Sequence, residues 1–231
     1  MPAETPAVKR RVPNKERRGR SEHAILRSAE ELFVANGFYR TTIDEIAQKA
    51  GLTKGSVYFH FADKEQLLLA LLTRAERRVM APILASMDEE GVEPKLKIIR
   101  YLNSWARAAV EQRNTMFLPI LMSFEFLGSG AVIEQHITAS YDRAYDSLSR
   151  VFAEGQRSGD IPAFAPPREQ AAVLIGLADG MLLEWLRRGT RLDGLAASQA
   201  IRSLVMSGLS IPEPAAASLA VSKNTVPFDI T

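Results

Sequence analysis

The chain has no cysteine among its 231 residues, which excludes disulfides, thiolate metal sites and a cysteine nucleophile. Histidine is scarce as well. His23, His60 and His136 stand far apart, with no H-x3-H or H-E-x-x-H spacing to hold zinc. No G-x-S-x-G elbow, P-loop or G-x-G-x-x-G turn occurs. Glu125 and Asp179 are isolated acids in apolar stretches, and each is expected to pair with an arginine or a backbone cap rather than to form a catalytic pair. An enzyme is therefore not expected, and no cofactor or metal site is legible.

Long apolar runs are missing too. The most apolar stretch, residues 171–186, is interrupted by Asp179 and Glu184, so it is too short and too charged to span a bilayer. The N-terminus is basic but lacks the apolar core of a signal peptide. These absences predict a cytoplasmic protein with no membrane partner. The net charge of +2 is too small to make the whole molecule a nucleic-acid binder. Its distribution is uneven, because Lys9, Arg10, Arg11, Lys15, Arg17, Arg18 and Arg20 face only one nearby acid, Glu16. That segment reads as a solvated tail or as an arm touching phosphate.

What is present is concentrated in residues 41–64, which read T-T-I-D-E-I-A-Q-K-A-G-L-T-K-G-S-V-Y-F-H-F-A-D-K. Thr42 and Glu45 form a capping box for a helix that stops at Gly51, a residue that takes a left-handed conformation without strain. Thr53 caps a second, short helix, and Asp63 with Gln66 opens a third. Ala47 is small enough for the second helix to cross closely, and Ile46 and Val57 can fill the angle. Two helices joined at a glycine turn make a helix-turn-helix. Its second helix enters the major groove with its N-terminal side chains against base edges, here Thr53, Lys54, Gly55 and Ser56. Tyr58 can donate to a phosphate while its ring packs, whereas Phe59 and Phe61 are expected in the core. Lys64 and Thr42 stand at helix N-termini that favour anions. His60 is expected to be packed or hydrogen-bonded rather than a pH switch.

Around this corner the periodicity predicts an all-α chain of about nine helices, with no strand. Residues 1–20 are expected to be a basic disordered arm, 21–66 a helix-turn-helix domain, 67–210 a larger helical domain, and 211–231 a disordered tail. Pro82 is expected to kink the long helix that begins at residue 63. Residues 114–127 are apolar nearly all round and are expected to be buried. Gly128-Ser129-Gly130 reads as a plain turn. Large, adaptable side chains recur in the second half: Trp105, Phe117, Met122, Phe126, Tyr141, Tyr145, Met181 and Trp185. Such a set is usually core, but it can also line a largely apolar pocket.

The run T-T-I-x-x-I-A-x-x-A-G-L-T-K-G-S-V-Y-F-H-F-A-D-K-E-x-L, preceded by A-x-x-L-F-x-x-x-G-F, resembles the DNA-binding domain of the TetR family of bacterial regulators over residues 21–69. The resemblance implies DNA contacts at Thr42, Thr53, Lys54, Ser56, Tyr58, His60 and Lys64. It further implies an effector site in the second half and a two-fold homodimer through about 132–158 and 168–188. The partners it implies are a palindromic double-stranded operator, a second copy of the chain and a small, largely apolar effector. A repressor released by its ligand is the expected function. A constitutive DNA-binding protein without a ligand, or an activator, is the alternative.

Overall fold

The computed structural model describes residues 14–210, which divide into a unit ending at Leu68 and a unit beginning at Leu69. Every regular element among them is helical. In chain order they are α1 (Asn14–Asn36), α2 (Ile43–Ala50), α3 (Lys54–His60), α4 (Lys64–Ala75), a π-helical turn (Glu76–Met80), α5 (Ala81–Ala85), α6 (Pro94–Glu111), α7 (Arg113–Glu125), α8 (Val132–Ser158), α9 (Pro167–Arg188), a 3-10 turn (Gly189–Arg191) and α10 (Gly194–Gly208). Taken as one helix, residues 64–85 leave nine α-helices among the described residues, as expected. None of these helices is long and apolar enough to cross a membrane.

In the first unit α1 packs on α2 and α3. Ile25, Ala29 and Phe33 of α1 meet Ile46, Ala47 and Val57 in a core from which water is excluded. α1 starts at Asn14, so the part of the basic arm from residue 14 to 20 is helical rather than disordered; residues 1–13 and the tail from 211 lie outside the described residues. The cause is local. Lysine, arginine and glutamate are good helix formers, Glu16 pairs with Arg20 one turn on, and the Ser21 hydroxyl donates to the Arg17 carbonyl within the helix. In the turn after α1, Phe38 is buried, whereas Tyr39 next to it is exposed.

In the second unit the most extensive helix pair is α8 with α9, and α6 packs on α8 and α10. Ile133, Ile137, Ala144, Leu148, Val151 and Phe152 give α8 one buried stripe at helical spacing. Pro82 acts differently from a simple kink. Its ring would press on the Arg78 carbonyl one turn back. The chain widens there into the π turn, closed by the Ala81 N–H donating to the Glu76 carbonyl. Within 114–127, Phe117, Leu118 and Met122 are buried, but Phe124 and Leu127 are exposed. An all-round apolar helix gives no periodic signal for which side turns outward. The Gly128-Ser129-Gly130 turn is held by its own acid, since the N–H groups of Gly128 and Gly130 each donate to Glu134 at 2.7 Å.

Gly51 closes α2 at φ 69, ψ 30, and its N–H returns to the Ala47 and Gln48 carbonyls. Gly51→Ala places a Cβ in this left-handed conformation and is expected to cost about 1–2 kcal/mol. A urea denaturation curve with an unmoved midpoint would contradict this.

Candidate nucleic-acid interface and a cavity in the second unit

α3 is only seven residues long, so its ends decide its existence. Thr53 caps it, accepting from the Ser56 N–H at 3.2 Å, with the Thr53 and Ser56 hydroxyls 2.9 Å apart. The Phe61 N–H closes the other end on the Val57 carbonyl. Val57 is fully buried and locks one face of the helix inward, which leaves Thr53, Lys54 and Gly55 exposed and Ser56 half-buried on the other. Tyr58 is 48% exposed, so its ring is only partly packed. A Cβ on Gly55 would meet nothing closer than Thr53 Oγ1 at 3.9 Å. The fold therefore does not require glycine there. Lys54 Nζ bonds Asp44 of α2 at 2.8 Å, both groups being largely exposed, and that hydrogen bond raises the lysine's pKa. An exposed pair of this kind is easily exchanged for a phosphate.

Thr42 and Lys64 have partners within the protein, and Phe59 departs from its expected place. Thr42, which is exposed, gives both its donors to Glu45, the N–H at 2.7 Å and the hydroxyl at 2.8 Å, and so serves as the cap of α2. The same N–H lowers the Glu45 pKa. Lys64 turns inward: its ammonium donates to the carbonyls of Phe38 at 2.8 Å and Thr41 at 2.9 Å and lies 4.3 Å above the Phe38 ring. It ties the α1–α2 loop to the start of α4. Phe59 is 68% exposed rather than in the core, because it stands two residues, about 200° around the helix, from Val57. The Arg18 guanidinium lies 5.3 Å from its ring, which brings the N-terminal turns of α1 beside α3. Phe61, one full turn after Val57, is half-buried, and His60 is half-buried with its ring edge-on to Phe59.

The second unit contains a cavity with about 710 Å³ of atom-free space, its open mouth included. The π turn and its flanks supply Leu72, Ala75, Glu76, Val79 and Met80. Tyr101 and Trp105 come from α6, and Thr115, Met116, Pro119 and Ile120 from α7. α8 adds His136, Ile137, Ser140, Tyr141 and Ala144, and α9 adds Ile175, Asp179 and Leu182. Of the side chains expected to line a pocket, Trp105 and Tyr141 do so. Phe117 and Trp185 instead pack together, ring centroids 6.4 Å apart, beneath the Arg113 guanidinium. Met122 and Phe126 are sealed in the core. Tyr145 is half-buried with Arg168 over its ring, and Met181 lines a smaller recess with Trp185 and Leu192.

The polar groups of the cavity form two sets. Glu76, on the π turn, forms an ion pair with Arg143 at 2.6 Å, and His136 Nε2 lies 3.7 Å from its other oxygen without a hydrogen bond. Asp179 accepts from the Tyr141 hydroxyl at 2.7 Å rather than from an arginine or a backbone cap. Burial pushes Asp179 up to about 6, partly offset by that hydrogen bond. Burial, reinforced by the Asp179 charge, pushes the phenols of Tyr101 and Tyr141 above the ordinary tyrosine value, so both stay protonated donors. Among the described residues no group of three or more His, Cys, Asp or Glu could hold a metal.

A capped, three-helix corner ahead of a larger helical unit defines a helix-turn-helix DNA-binding protein. A sequence profile of the bacterial regulatory proteins of the tetR family matches residues 25–71. The crystal structure of the MbdR regulator from Azoarcus sp. CIB is 36% identical, with a TM-score of 0.76, over 83% of this chain and 100% of that one. The transcriptional repressor BepR of Brucella suis biovar 1 is 24% identical over 196 residues, 83% of this chain and 93% of its own. The FadR regulator of Bacillus subtilis, solved in complex with stearoyl-CoA, has a TM-score of 0.65 at 22% identity, over 80% of this chain and 98% of that one. The chain belongs to the TetR family and is a transcriptional regulator.

The Asp179 carboxyl is harder to ionise in the folded chain than in the unfolded one, where its value is 3.8. Its ionisation therefore costs stability that is absent below the unfolded value, grows as pH rises between the two, and is complete above about 6. Asp179→Asn keeps an acceptor for Tyr141 and removes the charge. It is expected to stabilise the protein by about 2 kcal/mol at pH 8 and by progressively less toward pH 4. Denaturation curves at the two pH values that shift equally would contradict this.

Proposed function

We propose that the protein is a homodimeric, ligand-responsive repressor that reads a palindromic operator through α3. The observation that carries this reading is α3 itself, seven residues fixed by Thr53 and Val57 with Thr53, Lys54 and Gly55 presented outward. In this reading Thr53, Ser56 and Lys54 meet base edges and phosphates. Gly55 allows the backbone to approach the DNA closely, and Tyr58 and His60 contact its backbone further along. Arg18, stacked on Phe59, adds positive charge beside α3.

So short a helix reads only a few base pairs, and a two-fold dimer supplies the second half-site about 34–36 Å away. α8 and α9 are the natural dimer face. On α9, Val173 is 71% exposed, and Gly176 and Gly180 follow at spacings of three and four, a smooth outward stripe that a second copy can approach closely. The cavity is the proposed effector site. Its lining is mostly apolar with a few polar groups, the pattern of small-molecule sites, and the stearoyl-CoA held by the related B. subtilis regulator makes an acyl group one candidate occupant. Glu76 lies in the stretch that runs on from α4, so an occupant pressing on the π turn biases that stretch and with it operator affinity. A coupling of about 1–3 kcal/mol changes that affinity some 5- to 150-fold.

Fluorescence anisotropy with the DNA upstream of the protein's own gene tests the assignment. Thr53→Ala is expected to weaken the complex at least tenfold, and Lys54→Ala to weaken it while reducing the salt slope by about one. Gly55→Ala is expected to leave the fold intact, or firmer by up to about 1 kcal/mol, yet also to weaken binding at least tenfold. Full affinity in Gly55→Ala would remove the close-approach role. The absence of any specific complex at moderate salt would remove the regulator mechanism altogether.

A further inference from the structure

We propose that the cavity admits neutral apolar molecules that carry a hydroxyl or amide hydrogen and turns away free carboxylates, with Asp179 making the distinction. The inference rests on reading this cavity as the effector site and adds the chemical class of its occupant. Among the residues lining the cavity there is no lysine or arginine, and there are two acids. Glu76 is answered by Arg143 at 2.6 Å. Asp179 is answered only by a neutral group, the Tyr141 hydroxyl on Oδ2, and its Oδ1 takes no hydrogen bond from any described residue. Asp179 therefore presents an acceptor with uncompensated negative charge, and at pH 8, well above its raised pKa of about 6, it is ionised. A donor on the ligand satisfies Oδ1 with a charge-assisted hydrogen bond. A carboxylate at the same place meets like charge, with no lysine or arginine in the lining to offset it and the one histidine, His136, facing Glu76. A ligand that carries an anionic portion must leave that portion outside and insert only its neutral part.

The test compares two probes of nearly the same shape at pH 8, 4-propylphenol, which is neutral, and 4-propylbenzoate, which is charged. Binding is followed by isothermal titration and by tryptophan fluorescence, since Trp105 lines the cavity. The phenol is expected to bind at least tenfold more tightly than the benzoate. In Asp179→Asn that ratio is expected to shrink at least tenfold, chiefly because the benzoate gains affinity. Equal affinities in the unsubstituted protein, uptake of neither probe, or a ratio unchanged by Asp179→Asn would overturn the proposal. Should Asp179→Asn fail to fold, the ratio in the unsubstituted protein decides alone. Operator binding is measured without either probe, so its failure and the failure of this discrimination are read separately.

Discussion

A helix of seven residues does not persist in water by its own hydrogen bonds, and α3 is such a helix. It exists because Thr53 caps one end and Val57 is buried beneath it, in a corner whose angle is set by Gly51 and Ala47. The corner depends in turn on a buried thread of polar bonds. Thr41, fully buried, donates to the Gly37 carbonyl at 2.7 Å, and Lys64 reaches back to the carbonyls at positions 38 and 41. The outward face of α3 thus depends on polar bonds made behind it. Thr42 and Lys64 belong to this support, which is why their donors are turned toward the protein.

The second unit is organised around the opposite problem, a space that is not filled. Its walls come from the π turn and from five helices, α4 and α6 to α9, and two of its acids are paired, Asp179 with Tyr141 and Glu76 with the more exposed Arg143. Asp179 with Tyr141 stores an unfavourable charge in the folded chain, and Glu76 with Arg143 ties the π turn to α8. The Asp179 charge is a feature that stability alone would remove. It is explained if this unit is built to respond to an occupant rather than only to hold itself together.

The DNA-binding corner was legible in the sequence because caps and a left-handed glycine are local chemistry, written in neighbouring residues. The early start of α1 leaves no mark in the apolar pattern, because Lys15, Arg17 and Arg18 favour a helix by propensity alone. Phe59 was misplaced because a helix of two turns offers too few apolar positions to fix its rotation. In the second unit the helices were legible, but their rotation about their axes was not. Large side chains were expected around the pocket, whereas Phe117, Met122 and Phe126 fill the core. The space is instead left by small residues such as Ala75, Ser140 and Ala144, since a cavity forms where bulk is missing. The pairing of Asp179 with Tyr141, 38 residues apart, depends on the helix packing and leaves no mark in the local sequence.

If the state of the cavity governs operator binding, filling it from within alters that binding without a known ligand. Ala144, on the cavity wall and 4% exposed, is the place to do so. Operator affinity of Ala144→Phe, measured on protein whose helical circular dichroism matches that of the unsubstituted chain, is predicted to differ by at least fivefold, with a weaker complex for a repressor released by its ligand. An unchanged affinity in a correctly folded Ala144→Phe would contradict the account.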